Sequence, residues 1–259
     1  MMINQMRADF YRQTRTIGCY ALLALTIGLS LLLTLTQQVG GMMVSDESSA
    51  QQMEQITHSH WSALTSVKAL TMSTSVLLYA YIALFVIVIG YEFSQKTYKN
   101  TLISGISRLQ FIGAKYTVML VDMLCLTLVY YLTGLVASLA AGRGLGEGAG
   151  RLAGDMAVVT VAVVFFISVI FSLGIILLVA TGSTIIPAIV IVAWPLAVAM
   201  LTEFAHWTWL KYVDFVTVAT NVALSTIKIG DLWPYIGVSV GVLAFTIMGS
   251  ALIIRDKEL

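Results

Sequence analysis

Residues 156–202 read MAVVTVAVVFFISVIFSLGIILLVATGSTIIPAIVIVAWPLAVAMLT, and no residue in that stretch is charged. A helix needs about 20 consecutive apolar residues to cross a bilayer, so this run is too long for one crossing and fits two. Thr181-Gly182-Ser183-Thr184 supplies the break, and Pro187 falls just inside the next element. The pattern predicts spans at about 156–180 and 185–201 joined by a very short turn. Pro195 lies inside the second span, where its missing N–H should kink or locally unwind the helix.

The whole chain shares this character. It is 59% hydrophobic and 10% charged, with a mean hydropathy of +0.92. A soluble domain of this length carries about a quarter of its residues charged, so a soluble globular protein is excluded. The net charge of +1 offers no basic field for nucleic acid. Cys19 and Cys125 both fall in apolar runs and read as small buried hydrophobes, with no disulfide or metal-ligand spacing.

Toward the N-terminus, residues 3–16 place Ile3, Met6 and Phe10 on one stripe and Arg7, Arg12 and Arg15 largely on the other. This is the pattern of a helix lying in the membrane interface. It feeds a retained first span at about 17–35, with no small-residue cleavage motif after it. Residues 37–68 form a polar, acid-rich outer loop. Within it His58 and His60 could share a metal on an extended backbone, although a solvated loop is the simpler reading. The second span covers about 71–91 and the third about 116–140.

Asp122, two turns beyond Lys115 on the third span, needs a partner or water. It reads as an interfacial pair with Lys115, as a helix-packing hydrogen bond, or as a proton or substrate site. The glycine-rich stretch 142–150 lacks the Gly-Lys-Ser/Thr ending of a phosphate loop and reads as an outer turn. Residues 203–231 hold Glu203, His206, Trp207, Trp209, Tyr212 and Asp214. They are too polar to span and too apolar for a free loop, which suggests an outer re-entrant helical hairpin. Glu203, Trp207 and Trp209, with Asp122, are candidate pathway or gate residues. The last span, about 234–254, carries Gly237 and Gly241 as a small-residue packing face.

The fold class is therefore all-α integral membrane, a single transmembrane domain with six spans. Both termini are expected inside, because nine of the 14 Lys and Arg then lie on the cytoplasmic side. Between spans two and three, residues 92–115 form the one long basic segment, with Lys96, Lys99, Arg108 and Lys115. Leu102, Ile103, Ile106, Leu109 and Ile112 recur at helical steps there. Gly105 divides the segment in two, and Ser107 can cap the second piece. A short amphipathic helix held outside the bilayer is a docking element for something soluble. No catalytic motif accompanies it.

Glu92, Lys96-Thr97, Leu102, Ser107-Arg108 and Lys115 resemble the first cytoplasmic loop of ABC transporter permeases of the type-2 exporter class. Lys96 stands where that family usually has glycine, and Gly105-Ile106 replaces a proline-led pair. The resemblance implies a cytoplasmic coupling helix over about 97–107. It also implies two separate ATPase subunits that hold ATP and magnesium, so that this chain itself binds no cofactor and is not an enzyme. ATPase docking would fall to Glu92, Lys96, Thr97, Lys99, Leu102, Ile103, Ile106, Ser107 and Arg108. A second permease chain, the same or similar, would pack on the first, with Gly237 and Gly241 as candidate contacts. The location implied is a bacterial cytoplasmic membrane, and the cargo an amphipathic peptide, antibiotic or lipid-like molecule. Other classes remain open: a membrane sensor or scaffold whose loop recruits a signalling protein, or a secondary transporter using Asp122.

Overall fold

The computed structural model describes residues 2–39, 54, 56, 61–103, 105–146, 148–205, 207–224, 227 and 229–257. His58, His60, His206 and Lys228 lie outside the described residues. Among those described, the chain is all helical, with no strand. In chain order the helices are α1 (Met2–Gln13), α2 (Ile17–Thr36), α3 (Ala63–Met72) and α4 (Thr74–Ser94). There follow α5 (Tyr98–Ile103), α6 (Arg108–Ala140), α7 (Ala149–Thr181), α8 (Ile185–Ala205), α9 (Phe215–Ala223) and α10 (Trp233–Lys257).

Six of these, α2, α4, α6, α7, α8 and α10, are long and apolar enough to cross a membrane. At 33 residues each, α6 and α7 are about 50 Å long, against a hydrocarbon layer of about 30 Å. They run well past the apolar stretches that hydropathy marks: α6 starts at Arg108 rather than near 116, and α7 at Ala149 rather than near 156. Hydropathy locates the apolar part of a helix, whereas caps and neighbours decide its ends. Ser107 caps α6, its Oγ accepting from the Gln110 amide at 3.3 Å.

Helix α7, uncharged from Met156 onward, lies at the centre, packed by α6, α8, α9 and α10. Helix α6 is the second hub, carrying α1, α2, α3 and α10. In lipid, polar side chains within the bundle must find partners inside the protein. Accordingly Tyr81 shares a hydrogen bond with Thr127, Tyr116 with Ser168 at 2.8 Å, and Ser66 with Ser138 at 3.1 Å. Gly134 lets α2, α3 and α6 close up, since a Cβ there would stand 2.2 Å from Leu70 Cδ1 and 3.1 Å from Thr34 Oγ1.

Three expectations need correction. The polar loop does not extend to residue 68: helix α3 begins at Ala63, with Ser62 Oγ accepting from the Thr65 amide, and it buries Ala63, Val67 and Leu70. Helix α8 continues through Pro195, so of the two outcomes expected there local unwinding is excluded. On α1 the apolar stripe divides: Met6 and Phe10 pack against the core while Ile3 is exposed, and the polar Asp9 and Gln13 are buried more deeply than any of them.

Candidate functional site

Four charged side chains meet where α1 crosses the adjoining ends of α4 and α6. Lys115 is fully buried, and its Nζ donates to Asp9 Oδ1 at 2.6 Å and to Glu92 Oε1 at 2.7 Å. Arg12 pairs with the same Glu92 oxygen, lies 3.6 Å from Asp9 Oδ1, and donates through Nη2 to the Val88 carbonyl at 3.0 Å. Two cations and two carboxylates leave the cluster neutral. An unpaired lysine at this depth would cost several kcal/mol, which explains why both acids turn toward it.

Local structure aims each group. Asp9 and Arg12 are one turn apart on α1, so both face the bundle. Gln5, four residues before Asp9, donates to Asp9 Oδ1 at 3.5 Å. Glu92 follows a π-helical turn, Val86–Gly90, in α4, and that turn also presents the Val88 carbonyl to Arg12. One oxygen on each acid, Asp9 Oδ2 and Glu92 Oε2, is buried with no hydrogen-bond partner among the described residues. Burial pushes the Asp9 carboxyl above its ordinary value; Lys115 pulls it down, Glu92 pushes it up, and Arg12 pulls it down.

Asp122 does not pair with Lys115, its partner in one reading of the sequence. Seven residues along a helix is a rise of about 10 Å, too far for that pair to close. Asp122 Oδ2 instead accepts from Gln13 Nε2 at 2.8 Å, a second tie between α1 and α6. It borders a side cavity of about 300 Å³ walled by Phe10, Tyr20, Leu84 and Cys125.

From this clamp the chain runs outward. Lys96, Thr97, Lys99, Ile103, Ser107 and Arg108 are exposed, and Leu102 is half-buried. The apolar ridge is not one exposed stripe, because Ile106 and Ile112 sink into the chain's own core while Ile103 and Leu109 stay outside. Glu92 is likewise buried, so neither Glu92 nor Ile106 offers a contact surface. Lys96 adopts φ +55° and Gly105 φ +91°, two left-handed positions that bracket α5. Phe93 stacks on Tyr98 with ring centroids 4.7 Å apart, tying α5 to the end of α4.

At the opposite end, Glu203 belongs to α8 and borders a cavity of about 690 Å³ with Lys211, Asp214, Asn221 and Tyr235. Trp207 and Trp209 are exposed and stacked on each other, with centroids 5.8 Å apart. The segment after α8 packs inward through Leu210, Phe215 and Val218, and Trp194 Nε1 donates to the Val213 carbonyl at 3.1 Å. On α10, a Cβ at Gly237 or Gly241 would touch nothing within 4 Å among the described residues, so both positions are open.

Sequence reasoning had assigned Arg12 only as a positive charge at one side of the membrane and had paired Lys115, in one reading, with Asp122; Asp9 had no role. A usable signal was present: a single acid in a basic helix, an acid ending one apolar run and a lysine opening the next. No protein-family model and no curated protein matches the chain.

Proposed function

We propose that this chain is the membrane-spanning subunit of an ATP-driven exporter of the type-2 ABC class. It would move an amphipathic peptide, antibiotic or lipid-like molecule out of a bacterial cell, drawing power from two separate ATPase subunits that hold ATP and magnesium. The observation that carries this reading is the pairing of the Asp9–Arg12–Glu92–Lys115 cluster with the exposed segment beside it. Lys96 and Arg108 flank the short helix α5, which bears Lys99 and Ile103; α5 lies between α4 and α6, whose roots the cluster ties together, and so can pass a push into both.

In this reading α1 lies in the cytoplasmic interface, α5 is the coupling helix, and residues 203–231 form the outer re-entrant hairpin. The cationic, partly apolar surface of α5 suits a cleft with an acidic rim. The left-handed backbone at Lys96 supports the family resemblance, because it is the position where related permeases usually carry glycine. The outward faces of α8 and α10, including Gly237 and Gly241, are where a second permease chain would pack. Asp122 is engaged by Gln13 of α1, which favours a packing role over proton coupling.

The test is co-purification from mild detergent, followed by reconstitution. An ATPase with nucleotide-dependent export supports the reading, and Asp122→Asn should leave that export largely intact. Recovery of a signalling kinase, or cargo movement without nucleotide, would overturn it.

A further inference from the structure

Beside the charge cluster, the α1–α2 turn and the π turn of α4 enclose a cavity of about 660 Å³. One wall is cationic and polar, from Arg12, Arg15 and Ser94; another is apolar, from Ile17 and Ile87; among the described residues no acid lines it. Ile17 opens α2 and Ser94 closes α4, so the cavity sits at the level where apolar helix gives way to polar ends. Gly90 permits the tight back wall, since a Cβ there would stand 2.9 Å from Thr184 Cγ2.

The two arginines are held differently. Arg12 is committed to Glu92 and Val88. Arg15 is exposed, rests its guanidinium 5.5 Å from the Tyr11 ring centroid, and has no carboxylate partner among the described residues. A guanidinium without an acid, facing a cavity that is half apolar, matches a phosphate joined to a hydrocarbon chain.

We propose that this cavity holds the phosphodiester head group of an anionic membrane lipid, with Arg15 and Ser94 on the phosphate and an acyl chain along Ile17 and Ile87. Basic pockets between helix ends are a recurrent way of holding such head groups. A soluble anion would use the arginine but leave the apolar wall unexplained. The proposal needs only the membrane character of the chain and is independent of the exporter reading.

The experiment titrates the delipidated full chain in detergent with phosphatidylglycerol, phosphatidylcholine or inorganic phosphate, and counts adducts by native mass spectrometry. Phosphatidylglycerol should be retained, and phosphatidylcholine should bind about tenfold more weakly, because its quaternary ammonium cancels the net negative charge of the head group beside Arg12 and Arg15. Arg15→Gln and Ser94→Glu should each weaken phosphatidylglycerol binding about tenfold. Arg7→Gln, on an exposed part of α1 outside the cavity, should leave it unchanged. Arg15 and Ser94 are both exposed, so these variants should fold, and a melting curve on each checks that they do. Undiminished binding by both cavity variants, or an equal loss in Arg7→Gln, overturns the site. Inorganic phosphate that displaces the lipid at equal concentration overturns the lipid assignment in favour of a free-anion site.

Discussion

Lys115 Nζ and Asp9 Oδ1 stand 2.6 Å apart across the boundary between α6 and the N-terminal helix, both side chains almost wholly withdrawn from solvent. This contact makes α1 part of the bundle. Together with the Arg12–Glu92 and Gln13–Asp122 contacts, it gives α1 a fixed crossing point at the roots of α4 and α6.

Removing the shared cation should therefore do more harm than removing one acid. Lys115→Met leaves two buried carboxylates facing each other, and about 3–5 kcal/mol of stability should be lost. Melting in detergent measures the loss, and adding Glu92→Gln to the Lys115→Met background should recover part of it. Independent, additive effects of the two substitutions would show that the ion pairs do not act together.

The Asp9 carboxyl gives a pH dependence of definite sign. Its value in the folded protein lies above the ordinary 3.8 because burial disfavours the charge. Folded protein thus holds this proton more tightly than unfolded chain. The associated stability is fully present below about pH 3.8 and is lost as pH rises through the elevated value. Asp9→Asn keeps the side chain's size without the titration. The stability of the native sequence relative to Asp9→Asn should fall as pH rises above 3.8; a flat difference across that range would refute the assignment.

The loop between α4 and α6 contains a substitution that should stabilise. Lys96 holds φ +55°, a conformation costing a residue with a Cβ about 1 kcal/mol. Lys96→Gly should offset the greater freedom of glycine and leave stability unchanged or raised by up to about 1 kcal/mol. Gly105→Val, at φ +91°, should lose at least about 1 kcal/mol. Hydrogen exchange over α5 would report both changes.

Docking can be separated from folding at two exposed positions. Ile103 and Lys99 are outside the core, so Ile103→Asp and Lys99→Glu should leave melting unchanged. If α5 seats in an ATPase cleft, each should weaken that association about tenfold or more. Binding measured by surface plasmon resonance in nanodiscs decides this, and equal affinity in both variants would move the docking surface elsewhere.

Close packing at Gly134 is open to the same treatment. A side chain there meets Leu70, so Gly134→Val should cost about 1–3 kcal/mol through overpacking. Leu70→Ala in the same chain should restore part of the loss if steric conflict is the cause. Circular dichroism during heating of both variants measures it.

The all-helical character and the six membrane-length helices were written along the chain. Apolar runs near the length of a bilayer crossing, the uncharged stretch 156–202, and Ser107 ahead of Arg108 are local patterns that depend on composition and spacing. The ends of α6 and α7 were not legible in hydropathy, because a helix continues wherever its backbone bonds can close, beyond the greasy portion. Nor was the partner of Lys115. Asp122 shares its helix and looked available, whereas Asp9, 106 residues away, holds the contact. Transfer cost is a property of single residues and adds along a segment, so the primary structure settles which segments enter the membrane. Charge pairing depends on which helices become neighbours and on the distance between their side chains, and only the assembled bundle sets those.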